Sequence, residues 1–204
     1  MKFIKWKSMI ITSIICLLSA FIGLAVWNEL PDSMAIHFNI HNQPDNFASK
    51  EFAVLGLPFM MAILQVVCCI INDINARKYG DRKKFETVTK WIIPVMAFFL
   101  QGITVGFSLG WSIDIGKSVA VMLGVLFLVL GNYMPKLDYV KNRDVDTEKA
   151  RKINRFIGNL TVIMGFMMLI ASMLTSSATT IVCLSLLIAY AVICIIYGIV
   201  TGRK

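Results

Sequence analysis

Charge is what this sequence has least of. Acidic and basic residues together make up 16% of its 204 positions, well below the quarter found in an ordinary soluble domain. Six stretches contain no Asp, Glu, Lys, Arg or His at all: 8–27, 52–71, 91–109, 118–134, 156–175 and 181–200. Ion-coupled transport and proton relays rely on ionisable groups inside the bilayer, so their absence from these runs argues against a secondary transporter. Histidine occurs twice, and no Gly-x-x-x-x-Gly-Lys-Ser/Thr loop, His-Glu-x-x-His or Gly-x-Ser-x-Gly is present. ATPases, zinc proteases and serine hydrolases of the common types therefore have no support. The five cysteines all fall within the uncharged runs, where disulfides and metals are not expected. No cofactor and no resident metal is expected, and the chain does not read as an enzyme.

What is present is apolar length. The composition is 57% hydrophobic, with a mean hydropathy of +0.74, and a bilayer core of about 30 Å is crossed by roughly 20 helical residues. Each of the six runs is close to that length, which predicts an all-α integral membrane protein with six transmembrane helices in one polytopic domain. No small-x-small cleavage site follows Trp27, so the first run is expected to remain as a span.

The basic residues set the orientation. Eighteen of the 20 Lys and Arg lie in the N-terminal arm, the connections 72–90 and 135–155, or the C-terminal tail, and only Lys50 and Lys117 lie opposite. Short basic loops stay in the cytoplasm, so both termini and these two loops are expected inside, and 28–51 outside. The net charge of +8 thus belongs to the inner membrane face, where anionic headgroups attract it, and is no sign of direct nucleic-acid binding.

The outer loop 28–51 is the longest of the outside connections. It carries Glu29, Asp32, Asp45 and Glu51 against Lys50, a field that favours a cationic ligand. Its 34–40 segment alternates loosely, compatible with a short extended stretch between the turns at Leu30-Pro31-Asp32 and 42–46. His37 and His41 would share a face if helical and could then bind zinc with a carboxylate, although the flanking prolines leave little room for a helix. Elsewhere, Gly102, Gly106 and Gly110 form a tandem Gly-xxx-Gly, and Gly158, Gly165 and Ser172 recur at heptad spacing; both patterns predict close helix packing.

Two segments resemble the SdpI family of bacterial membrane proteins. One is Leu30-Pro31, His37-Phe38-Asn39, Pro44-Asp45 and Ser49-Lys50, with Pro58 inside the second span; the other is Gly131-Asn132-Tyr133-Met134-Pro135-Lys136 at the end of the fourth. The family includes immunity proteins against a secreted antimicrobial peptide toxin, and its founding member also holds a transcriptional repressor at the membrane. The resemblance implies that Asp32, His37, Phe38, Asn39, Asp45 and Lys50 form a toxin-facing surface. It also implies that Gly131, Asn132, Tyr133, Pro135 and Lys136 form a motif ending the fourth span, with Asn132 available to a neighbouring helix, and that Arg143, Arg151 and Arg155 face a cytoplasmic partner. The expected partners are the lipid bilayer, an extracellular peptide toxin and a cytoplasmic repressor. Asn42 stands where the family usually has Gly, and in 137–155 Ala150 and Asn154 replace the usual Trp and His. The alternatives are a signalling receptor without a protective role and a metal-dependent membrane enzyme using His37 and His41.

Overall fold

The computed structural model describes residues 4–79, 83–136, 147–174 and 176–202. Among these, six helices are long and apolar enough to cross a membrane: Trp6–Leu24, Phe52–Arg77, Lys84–Ser108, Ile115–Lys136, Glu148–Ala171 and Ser177–Thr201. Their side chains are arranged as lipid demands. Phe21, Phe59, Ile63, Ile170 and Ile188 stand exposed, while Thr12, Ser19, Gln65, Gln101, Thr161 and Thr179 are buried. In hydrocarbon it is polar groups that must find partners inside the protein.

The first span is α1 (Trp6–Leu18) followed by the short α2 (Ala20–Leu24). Two strands come next, β1 (Ser33–Phe38) and β2 (Pro44–Ser49), paired antiparallel as a two-stranded sheet. The extended stretch expected near 34–40 is thus one arm of a hairpin. A π-helical turn, Phe52–Gly56, leads into α3 (Leu57–Tyr79), followed by α4 (Lys83–Ser108), α5 (Ile115–Tyr133), α6 (Thr147–Ala171) and α7 (Ser176–Gly202).

Two differences from the sequence expectation matter. Most of 72–90, read as a loop, is helix: α3 continues to Tyr79 and α4 begins at Lys83. Charged residues ended the apolar runs without ending the helices, because Asn, Asp, Lys, Glu and Thr are tolerated in a helix where their side chains have partners. The second difference concerns Gly102, Gly106 and Gly110. A Cβ at Gly102 or Gly110 would meet nothing within 4 Å, and one at Gly106 would meet the side chains of Trp111 and Ile113, so no backbone approaches along this stripe. Gly110 instead ends α4. Its φ of +82°, with Trp111 N–H donating to the Gly106 carbonyl and Gly110 N–H to that of Phe107, is a left-handed helix stop that glycine adopts without cost.

The chain divides into two compact units, 1–39 with 43–113, and 40–42 with 114–204. In the first, Leu30, Met34, Ala53, Val54 and Val105 form a core beneath the hairpin, and Cys16, Ala62 and Ala97 form another between α1, α3 and α4. In the second, Ala120, Met164, Met168, Ala171 and Cys183 pack α5, α6 and α7 together.

Candidate functional site

The hairpin is anchored through β1. Met34 and Ala35 are buried, and the Phe38 ring meets Phe107 of α4 edge-on at 4.8 Å. β2, in contrast, is exposed at every position except half-buried Ala48. The hairpin residues expected to form a surface therefore sort into two sets. Asp32, His37 and Asp45 are exposed, with His37 Nδ1 2.5 Å from Asp45 Oδ1. Phe38, Asn39 and Lys50 hold the loop in shape. Asn39 Oδ1 accepts from Gln43 N–H at 3.1 Å across the turn. Lys50 Nζ lies 5.1 Å from the Trp27 ring centroid, 3.4 Å from the Leu30 carbonyl and 3.4 Å from Asp32. His37 sits on a strand and His41 in the turn, so the helical face that would have joined them does not form. Beside the hairpin, Glu51 is exposed, and its own backbone N–H, then the Ser49 hydroxyl, hold its carboxyl below the usual carboxylate range. That contribution is complete above the unfolded value and fades as pH falls through the lowered one.

Asn42 explains a departure noted in the sequence. Its φ is +64°, the left-handed region where glycine is free of strain and asparagine is the best-tolerated substitute. Asparagine adds what glycine lacks: its Oδ1 accepts from Gly116 N–H at 2.9 Å, and its Nδ2 donates to Asp114 at 3.2 Å. Asp114 is itself the N-cap of α5, accepting from Lys117 N–H. Asn42→Gly is expected to keep the turn while losing these bonds, and Asn42→Ala to lose them and add left-handed strain of about 1–2 kcal/mol. Thermal unfolding in detergent should rank the three chains in that order, Ala lowest.

The segment Gly131–Lys136 packs against α6. A Cβ at Gly131 would lie 2.7 Å from the Gly158 carbonyl oxygen and 2.7 Å from Val162 N, and one at Gly158 would lie 2.7 Å from Pro135 Cδ. Gly124 and Gly165 oppose each other in the same way one heptad on, so the expected seam at Gly158 and Gly165 forms. Asn132 differs from expectation. It is exposed, and its Oδ1 accepts from Lys136 Nζ one turn along at 3.1 Å, while Lys136 also lies 5.3 Å from the Tyr133 ring. The i, i+4 spacing made this local pair available before any neighbouring helix. Arg151 and Arg155 are exposed on α6, where Glu148 pairs with Lys152 at 2.8 Å. Arg143 and the rest of 137–146 lie outside the described residues.

The sequence reading missed a buried ionic cluster. Asp73 of α3 and Lys90 of α4 are 2.5 Å apart, with side chains 0% and 3% exposed. Lys5 joins them: its backbone N–H donates to Asp73 at 2.8 Å, and its Nζ reaches buried Glu86 at 2.5 Å. Lys90, counted among the basic residues of a loop facing the cytoplasm, is thus closed off inside the helices. Gln65, fully buried, completes the arrangement by donating to the Lys90 carbonyl at 2.8 Å and to Thr12 Oγ1 at 2.7 Å. That carbonyl needs an outside donor because the residue four ahead is Pro94, which has no N–H to give.

Comparison with known proteins places these features in context. Residues 14–62, which include the whole hairpin, match the family described as Domain of unknown function (DUF1648). Over 194 residues, 92% of each chain, the sequence is 23% identical to Immunity protein SdpI of Bacillus subtilis (strain 168). No solved structure matches. The SdpI likeness expected from the motifs is borne out, and six spans together with this bacterial relative make the chain a multi-pass cell-membrane protein.

Proposed function

We propose that this protein is a non-enzymatic membrane immunity factor that protects its cell against an extracellular antimicrobial peptide, with the hairpin 33–49 as the part that meets the toxin. The observation that carries the reading is the hairpin itself. It lies within the matched segment 14–62, it is locked to its unit through Met34, Ala35 and Phe38, and it leaves His37 and Asp45 exposed, with Asp32 exposed just before it. An acidic hairpin anchored through β1 suits a cationic peptide, because charge complementarity speeds encounter and a preformed surface loses little entropy on binding. The likeness to an immunity protein over nearly the whole chain supports the same role. The excess of basic residues in the other connections supports an outside position for the hairpin.

Expression in a toxin-sensitive strain, followed by exposure to supernatants of toxin-producing strains, should allow growth at doses that kill the empty-vector control. Unchanged killing across a panel of producers would sink the reading. Reporter fusions within 39–43 should report from outside the cell, and a cytosolic signal there would remove the basis for toxin contact. A second reading, in which the protein also signals by sequestering a repressor, is favoured by the exposed Arg151 and Arg155 on α6. Loss of repressor capture in an Arg151→Glu, Arg155→Glu variant that still protects would separate the two roles.

A further inference from the structure

Among the described residues the sheet has two strands, so β2 pairs there with β1 on one side only. The phase of the pairing tells which backbone groups face the other side. Lys50 N–H donates to the Asp32 carbonyl at 2.9 Å, and the register sets Ser33 opposite Ser49, Met34 opposite Ala48 and Ala35 opposite Phe47. In an antiparallel ladder hydrogen-bonded and non-hydrogen-bonded pairs alternate. Asp32/Lys50 and Met34/Ala48 are therefore the bonded pairs, and at Phe47 and Ser49 the N–H groups point away from β1, as does the Phe47 carbonyl. An exposed strand with outward backbone donors and acceptors is a template for another strand.

Natural sheets protect such edges with lysine, proline or a covering element. Within β2 the only proline is Pro44, at its start, there is no lysine, the register shifts fall between Ala35 and Phe38 of the partner strand and leave the Phe47–Ser49 end in regular register, and the Phe47 side chain is 54% exposed. The surrounding charge selects the occupant: the loop 28–51 carries Glu29, Asp32, Asp45 and Glu51 against Lys50, and Glu29, Asp32, Asp45 and Glu51 are all exposed. We infer that the free edge of β2 binds an extended cationic peptide as a third strand, through backbone hydrogen bonds at Phe47 and Ser49, with the acidic rim holding its basic side chains. This deepens the proposed function, on which it rests, by assigning how the toxin is held. It also makes recognition depend on peptide backbone and charge more than on side-chain sequence.

The test uses the full-length protein in zwitterionic nanodiscs and an alternating Lys-Val peptide as probe. A second probe of the same sequence is N-methylated at every other residue, which keeps charge and apolar surface but removes the donors of one edge. The expected result is saturable binding of the plain peptide above that of empty nanodiscs and loss of about tenfold or more for the methylated one. Phe47→Pro removes an outward N–H that the β1 ladder does not use, and should weaken the plain peptide by about tenfold. Phe47→Ala keeps that N–H and should retain most of the binding. Equal binding of the two probes, or of wild type and Phe47→Pro, would overturn the inference. So would a Phe47→Cys variant that crosslinks to a second copy of itself regardless of added peptide, since the edge would then be occupied by its own kind. The killing assay separates the two levels: protection left intact by Phe47→Pro overturns edge docking alone, whereas a wild type that gives no protection removes the parent reading.

Discussion

Lys90→Met is expected to cost about 3–5 kcal/mol of folding stability, the range for removing one member of a buried ion pair. The Asp73 carboxylate, 0% exposed, would keep only the Lys5 N–H among its present partners and would be left as a buried charge without a counter-ion. Asp73→Leu should be similarly harmful, for the mirror reason. The double variant should recover most of the loss, because two apolar side chains of similar volume remove both desolvation penalties together. Denaturant titration in mixed micelles, run as a double-mutant cycle, gives all three values. A double variant as unstable as either single would show that the pair is needed for more than mutual neutralisation.

The seam between α5 and α6 makes the second large prediction. Gly131→Ala should cost about 1–3 kcal/mol, the usual range for overpacking. Its new methyl would stand 2.7 Å from a carbonyl oxygen and 2.7 Å from a backbone nitrogen of α6, and backbone cannot rotate aside as a side chain can. Gly158→Ala meets the Pro135 ring and the Gly131 carbonyl and should behave alike. Gly102→Ala is the control. With nothing within 4 Å it should be neutral or gain up to about 1 kcal/mol from helix propensity. The same titration distinguishes them, and equal tolerance of alanine at 131 and 102 would refute close packing at the motif.

Much of this fold is legible in the sequence because lipid imposes a simple rule: about 20 residues without charge cross it. The six spans followed from that rule, and the heptad glycines of α6 followed from the need of close helices for small residues. The ionic cluster was hidden by the same rule. Asp73 and Lys90 flanked apolar runs and Glu86 lay in the charged stretch between them, and a charge looks like a loop until its partner is known. A weak signal existed in Glu86 and Lys90 at i, i+4, together with Gly80 as the only glycine in 72–90, which suits two long helices better than an extended loop. The tandem glycines of α4 misled because spacing shows that a backbone can approach, and says nothing of whether one does. In the hairpin, the loose alternation of 34–40 was compatible with an extended stretch, but no residue pattern pointed to a paired second strand or to Lys50 folding back onto Trp27 and Leu30. That contact depends on tertiary placement.

The Asp73–Lys90 pair constrains how the chain enters the membrane. Asp73 and Lys90 sit on successive spans, 17 residues apart in sequence, so a nascent chain that has delivered only its second span presents Asp73 without Lys90. Inserting that span alone leaves the Asp73 carboxylate without this partner, whereas inserting it with the third brings the pair in together. Insertion of the second and third spans as a unit is therefore favoured, and the first span is fastened to both through Lys5, whose N–H meets Asp73 and whose Nζ meets Glu86.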